Sequence, residues 1–268
     1  MNDLVVQPPL PLNENLVVEE LIDRTRLRSS TVVVEIGGAA GASWSKRIGV
    51  ESWHSVDPRN VPGKTEAMTT WRARGEAIPL PDESADVVFS CNAFQFVDFP
   101  AVLREAYRLL RPGGIVYAHF GPVWSGPDGH QLEYISYQGR ELQFWRDTLL
   151  PPYAHLRFTA PELRLALLTA LPEPLVDKLV WHIHSSQTIN RLFVEDYLDH
   201  VRASGFALCE FVTSRHLDYV IETPPYEYPL LDTPIDLREL GQRTRCPMHA
   251  SHNLGVRDIR LLLQKSAG

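Results

Sequence analysis

Apolar positions along the chain change period repeatedly. Over 15–28 they fall at Leu16, Val17, Leu21, Ile22 and Leu27, the spacing of one helical face. The run Thr31-Val32-Val33-Val34 then predicts a buried strand ending at Ile36. Gly37-Gly38-Ala39-Ala40-Gly41 predicts a sharp turn, Ala42–Ile48 a helix, and 53–56 a short strand closed by Asp57 and Pro58. A further strand is expected at 86–90, a helix at 99–110, and a turn at 111–114 into the strand 115–120.

After Phe120 the alternation stops, and it resumes with a helix at 189–203, the stop Ser204-Gly205 and a strand at 206–213. A second irregular stretch, 216–253, precedes a last strand at Val256–Gln264. Strands and helices alternating at this length predict a doubly wound, mostly parallel α/β sheet. The expected organisation is an N-terminal helix and half-sheet at 1–120, an inserted cap at 121–188, and the completion of the sheet at 189–268.

Composition narrows the chemistry. With 268 residues, 44% of them hydrophobic, one large α/β domain with an elaboration is expected. The balance of 26 basic against 33 acidic residues gives a formal charge of -7, without the Lys/Arg-rich run that a phosphate backbone requires, so nucleic acid is not the expected partner. Neither an export signal nor an apolar stretch long enough to span a bilayer is read, and a cytoplasmic protein is expected. Cys91, Cys209 and Cys246 lack the spacing of a disulfide framework, a thiolate zinc site or an iron–sulfur ligand set.

The glycine turn after the first strand lets backbone approach a ligand closely, although it also aligns loosely with a dinucleotide fingerprint at Gly37, Ala39 and Ala42. Three acids sit where strands hand over to loops: Glu35, Asp57 and Glu76. In an open parallel sheet those carboxyl ends border the ligand crevice, and Asp57, about twenty residues after the turn, is spaced to accept ribose hydroxyls. A carboxylate-rich crevice suits a sulfonium cation better than a pyrophosphate.

The segments VVVEIGGAAG (32–41), HSVDP (54–58), GEAIPLPDESADVVFSCNAFQFV (75–97) and LREAYRLLRPGGIVYAHF (103–120) resemble, in this order, the successive motifs of class I S-adenosylmethionine-dependent methyltransferases. ASGFALCEF (203–211) resembles that family's C-terminal helix-to-strand passage. The resemblance implies a seven-stranded Rossmann-like sheet with a cap inserted after the fifth strand. It implies that S-adenosylmethionine is the cofactor and S-adenosylhomocysteine the product. Glu35, Gly37, Gly38 and Gly41 would line the methionine end, Asp57 with Pro58 the ribose, Glu76 with Ala77 the adenine, and Asn92 the methyl. Ala39 replaces the usual middle glycine, Glu76 a commoner Asp, and Gln95 a residue that many relatives carry as His.

Methyl transfer from a sulfonium needs a nucleophile held about 3–3.5 Å from the methyl, and a base only when the acceptor is a hydroxyl or a protonated amine. His119 at the end of its strand, and His130 and His155 in the insertion, are the candidate bases. His182 and His184, if on a strand, would share a face as two metal ligands do, but no third ligand follows and no metal is expected. The insertion carries Trp124, Tyr134, Tyr137, Phe144, Trp145, Tyr153, Phe158 and Trp181, a ring-rich wall suited to a small-molecule pocket.

The expected function is methyl transfer to oxygen or nitrogen of a small metabolite or natural-product intermediate, with a homodimer left open. A cyclase or rearrangement enzyme that keeps its cofactor as a charged scaffold is the alternative, separated by whether S-adenosylhomocysteine forms. A binding protein that had lost catalysis would show eroded cofactor acids, and all three acids are present.

Overall fold

The structure, a computed structural model, describes residues 14–25, 27–38, 42–66, 68–133, 135–144, 147, 149–215 and 234–267. The chain divides into two compact units. Unit 1 comprises Met1–Gly121, Asp196–Ser214 and Asp258–Gly268, and unit 2 comprises Pro122–Glu195 and Arg215–Arg257.

Unit 1 is built on β1 (Val32–Ile36), β2 (Ser52–Val56), β3 (Gly63–Lys64), β4 (Thr69–Trp71), β5 (Ala85–Cys91), β6 (Leu110–Phe120), β9 (Ala207–Arg215) and β10 (Val256–Gln264). Its order is β3-β4-β2-β1-β5-β6-β10-β9, with β2, β4 and β5 parallel to their neighbours toward β1 and β10 antiparallel to β6. The strand order reverses between β1 and β5, the position at which open α/β sheets bind ligands. The sheet has eight strands where seven were expected, because the two-residue β3 pairs antiparallel with β4 at its edge. Among the described residues no helix is long and apolar enough to cross a membrane.

Residues in β1 are buried without interruption, as a central parallel strand requires. On one face Val17, Val18 and Leu21 of α1 (Glu14–Thr25) pack with Val33, Trp53, Phe89 and Tyr117. On the other, α3 (Phe99–Leu109) buries Phe99, Val102, Leu103, Ala106 and Leu109 at helical spacing, and its start is fixed by Asp98, whose side chain accepts from the Ala101 N–H. Phe99 meets Tyr197 of α7 (Val194–Ala203) edge-on at 4.9 Å, and Phe120 lies 5.0 Å from the same ring. Each such buried ring contributes roughly 1.5–3 kcal/mol. α7 begins at Val194 rather than at 189, since Arg191 takes φ 55, a conformation that no helix continues through.

The insertion read as irregular is largely structured. In unit 2, β7 (Ile135–Tyr137) and β8 (Arg140–Leu142) form a hairpin about Gln138 and Gly139, both at positive φ, as a two-residue hairpin turn demands. Three helices follow: α4 (Ala154–Arg157), α5 (Ala160–Leu167) and α6 (Glu173–His184). α8 (Leu237–Thr244) lies in the second stretch read as irregular, capped by Asp236, while 216–233 fall outside the described residues. His182 and His184 are on α6, not on a strand, so a spacing of two separates them by about 200° around the helix, and the shared-face metal reading is withdrawn.

Candidate functional site

The turns leaving β1, β2 and β5 meet at one end of the unit 1 sheet. Gly37 and Gly38 both have positive φ, 104° and 51°. The Gly37 N–H donates to the Val56 carbonyl at 2.9 Å. A Cβ on Gly37 would stand 2.5 Å from that of Ala93, and one on Gly38 would stand 2.9 Å from Ser55 Oγ and 3.2 Å from Asp57 Cβ. The glycine turn is thus wedged between the β5 and β2 turns, with no room for a side chain. Gly75 closes the group, since a Cβ there would lie 2.8 Å from Ile36, which brings the Glu76–Ala77 turn to the end of β1. Gly41 lies outside the described residues.

The three acids are held differently. Glu35 is buried, and its Oε2 accepts from the Trp53 indole N–H at 2.9 Å. Asp57 follows β2 directly; its own N–H donates to Trp71 O at 3.2 Å and its Oδ1 accepts from the Arg59 N–H at 2.7 Å, so it caps the turn through Pro58. Its Oδ2 lies 3.5 Å from the Arg59 guanidinium and keeps acceptor capacity. Glu76 accepts from Arg74 at 3.2 Å and from the Asp98 N–H at 3.0 Å. Partial burial pushes the Glu76 carboxyl up, but the Arg74 hydrogen bond and the backbone N–H groups outweigh it and hold the group below its usual range, ionised at neutral pH.

Asn92 follows β5 at φ 52, held there by its N–H donating to the His119 carbonyl at 2.8 Å. Its side-chain Oδ1 is buried and has no hydrogen-bond partner among the described residues, which costs about 1–3 kcal/mol unless a donor is supplied. Gln95 braces this turn, its Nε2 donating to the carbonyls of Asn92 and Gly121, each at 3.2 Å. His119 is fully buried on β6, in register with Cys91 of β5 and Arg260 of β10.

In unit 2 the structure brings His130 and His155 together, ring centroids 5.6 Å apart. His155 Nε2 lies 2.8 Å from the Trp124 carbonyl and so carries the proton, which leaves Nδ1 as the lone-pair nitrogen. His182 Nε2 likewise donates to the carbonyls of His130 and Gln131, at 3.1 and 2.9 Å. Nδ1 of both His130 and His155 is buried without a partner among the described residues. Burial drives the His155 imidazole down; the Trp124 hydrogen bond opposes this and His184 adds to it, leaving a pKa of about 4. Burial, with His155 and His182 beside it, holds His130 well below the ordinary histidine value. Both rings are therefore neutral at pH 7. Of the insertion's aromatics, Trp124 packs edge-on against His155 at 4.5 Å, while Tyr134 and Trp145 lie outside the described residues.

Several residues of this site escape sequence reading. Trp53 as the partner of Glu35, and Asn60, which donates to Ser55 O at 3.1 Å and Trp71 O at 3.3 Å, are selected by tertiary contact alone. Arg59 and Arg74 did leave a signal, each standing two positions from the acid it pairs with.

Residues 46–118 match the methyltransferase domain family. The chain is 35% identical over 127 residues to an uncharacterised methyltransferase of Mycobacteroides abscessus, covering 42% of this chain and 48% of that protein. It is 28% identical over 163 residues to the malonyl-[acyl-carrier protein] O-methyltransferase of Yersinia pestis, covering 56% of this chain and 54% of the relative. The chain thus spans about half the length of the curated relatives it matches. Among solved structures, geranyl diphosphate C-methyltransferase from Streptomyces coelicolor A3(2) aligns with 94% of this chain and 77% of its own, at a TM-score of 0.48 and 11% identity.

Proposed function

We propose that the chain is a class I S-adenosylmethionine-dependent methyltransferase, a reading supported by the match of residues 46–118 to the methyltransferase domain family, and that it binds that cofactor at the carboxyl ends of β1, β2 and β5 and transfers the methyl group to oxygen or nitrogen of a small-molecule acceptor. The observation that carries this reading is the convergence of Gly37, Gly38, Asp57 and Asn92 at the switch point of the sheet. The donor set fits the cofactor: carboxylates for a cation and for ribose hydroxyls, a turn whose missing Cβ atoms admit a ligand, and an amide oxygen with no partner among the described residues. The cofactor, when bound, supplies a methyl group on a sulfonium, with S-adenosylhomocysteine left as product. Glu35, Gly37, Gly38 and Gly41 would hold its methionine end, Asp57 and Pro58 its ribose, Glu76 and Ala77 its adenine, and Asn92 would lie beside the methyl.

Asp57→Ala is expected to weaken S-adenosylhomocysteine binding at least about tenfold, near 1.5 kcal/mol, because a charge-assisted hydrogen bond is lost. Calorimetry on the folded variant measures this, and unchanged affinity would remove Asp57 from the site.

We assign the acceptor to the inserted segment and the base, for a hydroxyl or protonated amine, to His130 or His155, whose buried Nδ1 lone pairs have no partner among the described residues; His119, enclosed within the sheet, ranks behind them. The O-methyltransferase among the relatives supports oxygen as acceptor atom, and the net charge of -7 supports a small molecule over nucleic acid. A buried imidazole far below pH 7 is a weak base, so His155→Ala or His130→Ala should cost turnover near the low end of the general-base range, about 10²-fold, with cofactor affinity unchanged. Equal turnover in both variants would mean that the protein's contribution is positioning alone.

A further inference from the structure

Within unit 2, the β7–β8 hairpin and α6 border a groove of about 430 Å³ lined by Ile135, Ser136, Lys178, Trp181, His182 and Thr188, and also by the acids Glu133 and Asp177. That volume falls within the range of small-molecule sites, roughly 300–1,000 Å³. Its walls are mostly apolar, yet Trp181 presents 59% of its surface to solvent, and the indole makes no hydrogen bond or ring contact among the described residues. Its helical neighbours Leu179, His182 and Ile183 are buried, so the exposed ring is a feature of the groove and not of a frayed helix.

The charge at the groove is also specific. Lys178 Nζ donates to the Ser136 carbonyl at 2.5 Å, which ties the helix to the hairpin and sets the ammonium on the lining. It forms no ion pair among the described residues, and its other N–H groups remain to be used. Asp177, the adjacent acid, is already engaged by Arg164 Nε at 2.9 Å. An exposed indole beside a cation lacking a carboxylate partner complements an aromatic ring that carries an anion.

We propose that this groove binds a planar aromatic carboxylate, the ring stacked on Trp181 and the carboxylate on Lys178. The site stands independently of the methyl-transfer reading. It is tested by calorimetric titration of the full chain with 1-naphthoate and 1-naphthol, S-adenosylhomocysteine affinity being measured on the same samples. The expected result is saturable one-site binding of naphthoate at least tenfold tighter than naphthol. Trp181→Ala should weaken naphthoate at least tenfold, Trp181→Phe should retain most of the affinity, and Lys178→Gln should abolish the preference for the acid. Trp181 and Lys178 are both exposed, so these variants are expected to fold, and unaltered far-ultraviolet circular dichroism checks it. Absence of saturable binding, equal affinity for the two probes, or naphthoate binding undiminished in Trp181→Ala would overturn the proposal. Loss of S-adenosylhomocysteine binding in the parent chain would instead count against the methyltransferase reading and leave the groove assignment standing.

Discussion

Gly37→Val is expected to abolish cofactor binding, by at least about 10²-fold or 2.7 kcal/mol, while leaving the sheet folded. Two effects add. Gly37 has φ 104°, where a β-branched residue is strained by roughly 1–3 kcal/mol. Its new Cβ would also come within 2.5 Å of Ala93 Cβ, with the neighbouring Cys91 carbonyl at 3.8 Å. The β5 turn must then move, and it carries Asn92, whose Oδ1 has no partner among the described residues. The Gly37 N–H bond to Val56 O fixes the β1 turn against the β2 turn, so a shift of Gly37 is passed to Asp57 as well. The measurement is calorimetry with S-adenosylhomocysteine, with far-ultraviolet circular dichroism for folding. Gly49→Ala is the control: φ there is 70° but nothing lies within 4 Å of the added Cβ, so it should cost some stability and no affinity. Binding of Gly37→Val within tenfold of the parent would show that this turn does not hold the ligand.

The parts of this site that the sequence made legible are those set by local chemistry. The β-branched run 32–34 reads as a buried strand, the glycines after it as a turn and 99–110 as a helix, whose start the structure fixes with Asp98 and Pro100. The sequence offers Asp57 as a ribose acceptor, the role proposed for it above, and the structure shows that Asp57 caps its own turn through Oδ1. One carboxylate has acceptor sites enough for both roles.

The insertion was misread for an identifiable reason. Its loss of strand and helix alternation reads as irregular chain, yet Pro161 and Pro174 occupy first-turn positions of α5 and α6, where proline is favoured. Thr159 and Glu162 form a capping box at the start of α5, a start signal present in the sequence. The partners of the buried histidines were not legible at all. Carbonyls of Trp124, His130 and Gln131 accept from imidazoles 31 to 52 positions away, and no local spacing encodes that.

Those histidines should make unit 2 sensitive to acid. An imidazole whose folded pKa is depressed contributes its stability in full above the unfolded value near 6.5, and that stability is lost as pH falls toward the folded value. For His155, with a folded pKa of about 4, the interval is about 2.5 units, or roughly 3 kcal/mol. His130 titrates in the same direction and lies beside it, so protonating either ring further disfavours the other. His182, also lowered by burial with Arg191 beside it, adds to the same slope. A domain typically has 5–15 kcal/mol in total, so a large share of unit 2 stability should go between pH 6.5 and 4. Carboxylates with ordinary or lowered pKa values contribute mainly below about 4.5, which assigns the upper part of the transition to the imidazoles. Amide hydrogen exchange followed by mass spectrometry reads this directly: peptides from 122–195 should lose protection as pH falls from 7 to 5, after correction for intrinsic exchange rates. His155→Gln keeps a donor for the Trp124 carbonyl but cannot titrate; it should be less stable than the parent at pH 7.5 and show a flatter decline on acidification. Protection in 122–195 that is independent of pH over this range, or an unchanged slope in His155→Gln, would mean that these rings are not buried as neutral bases.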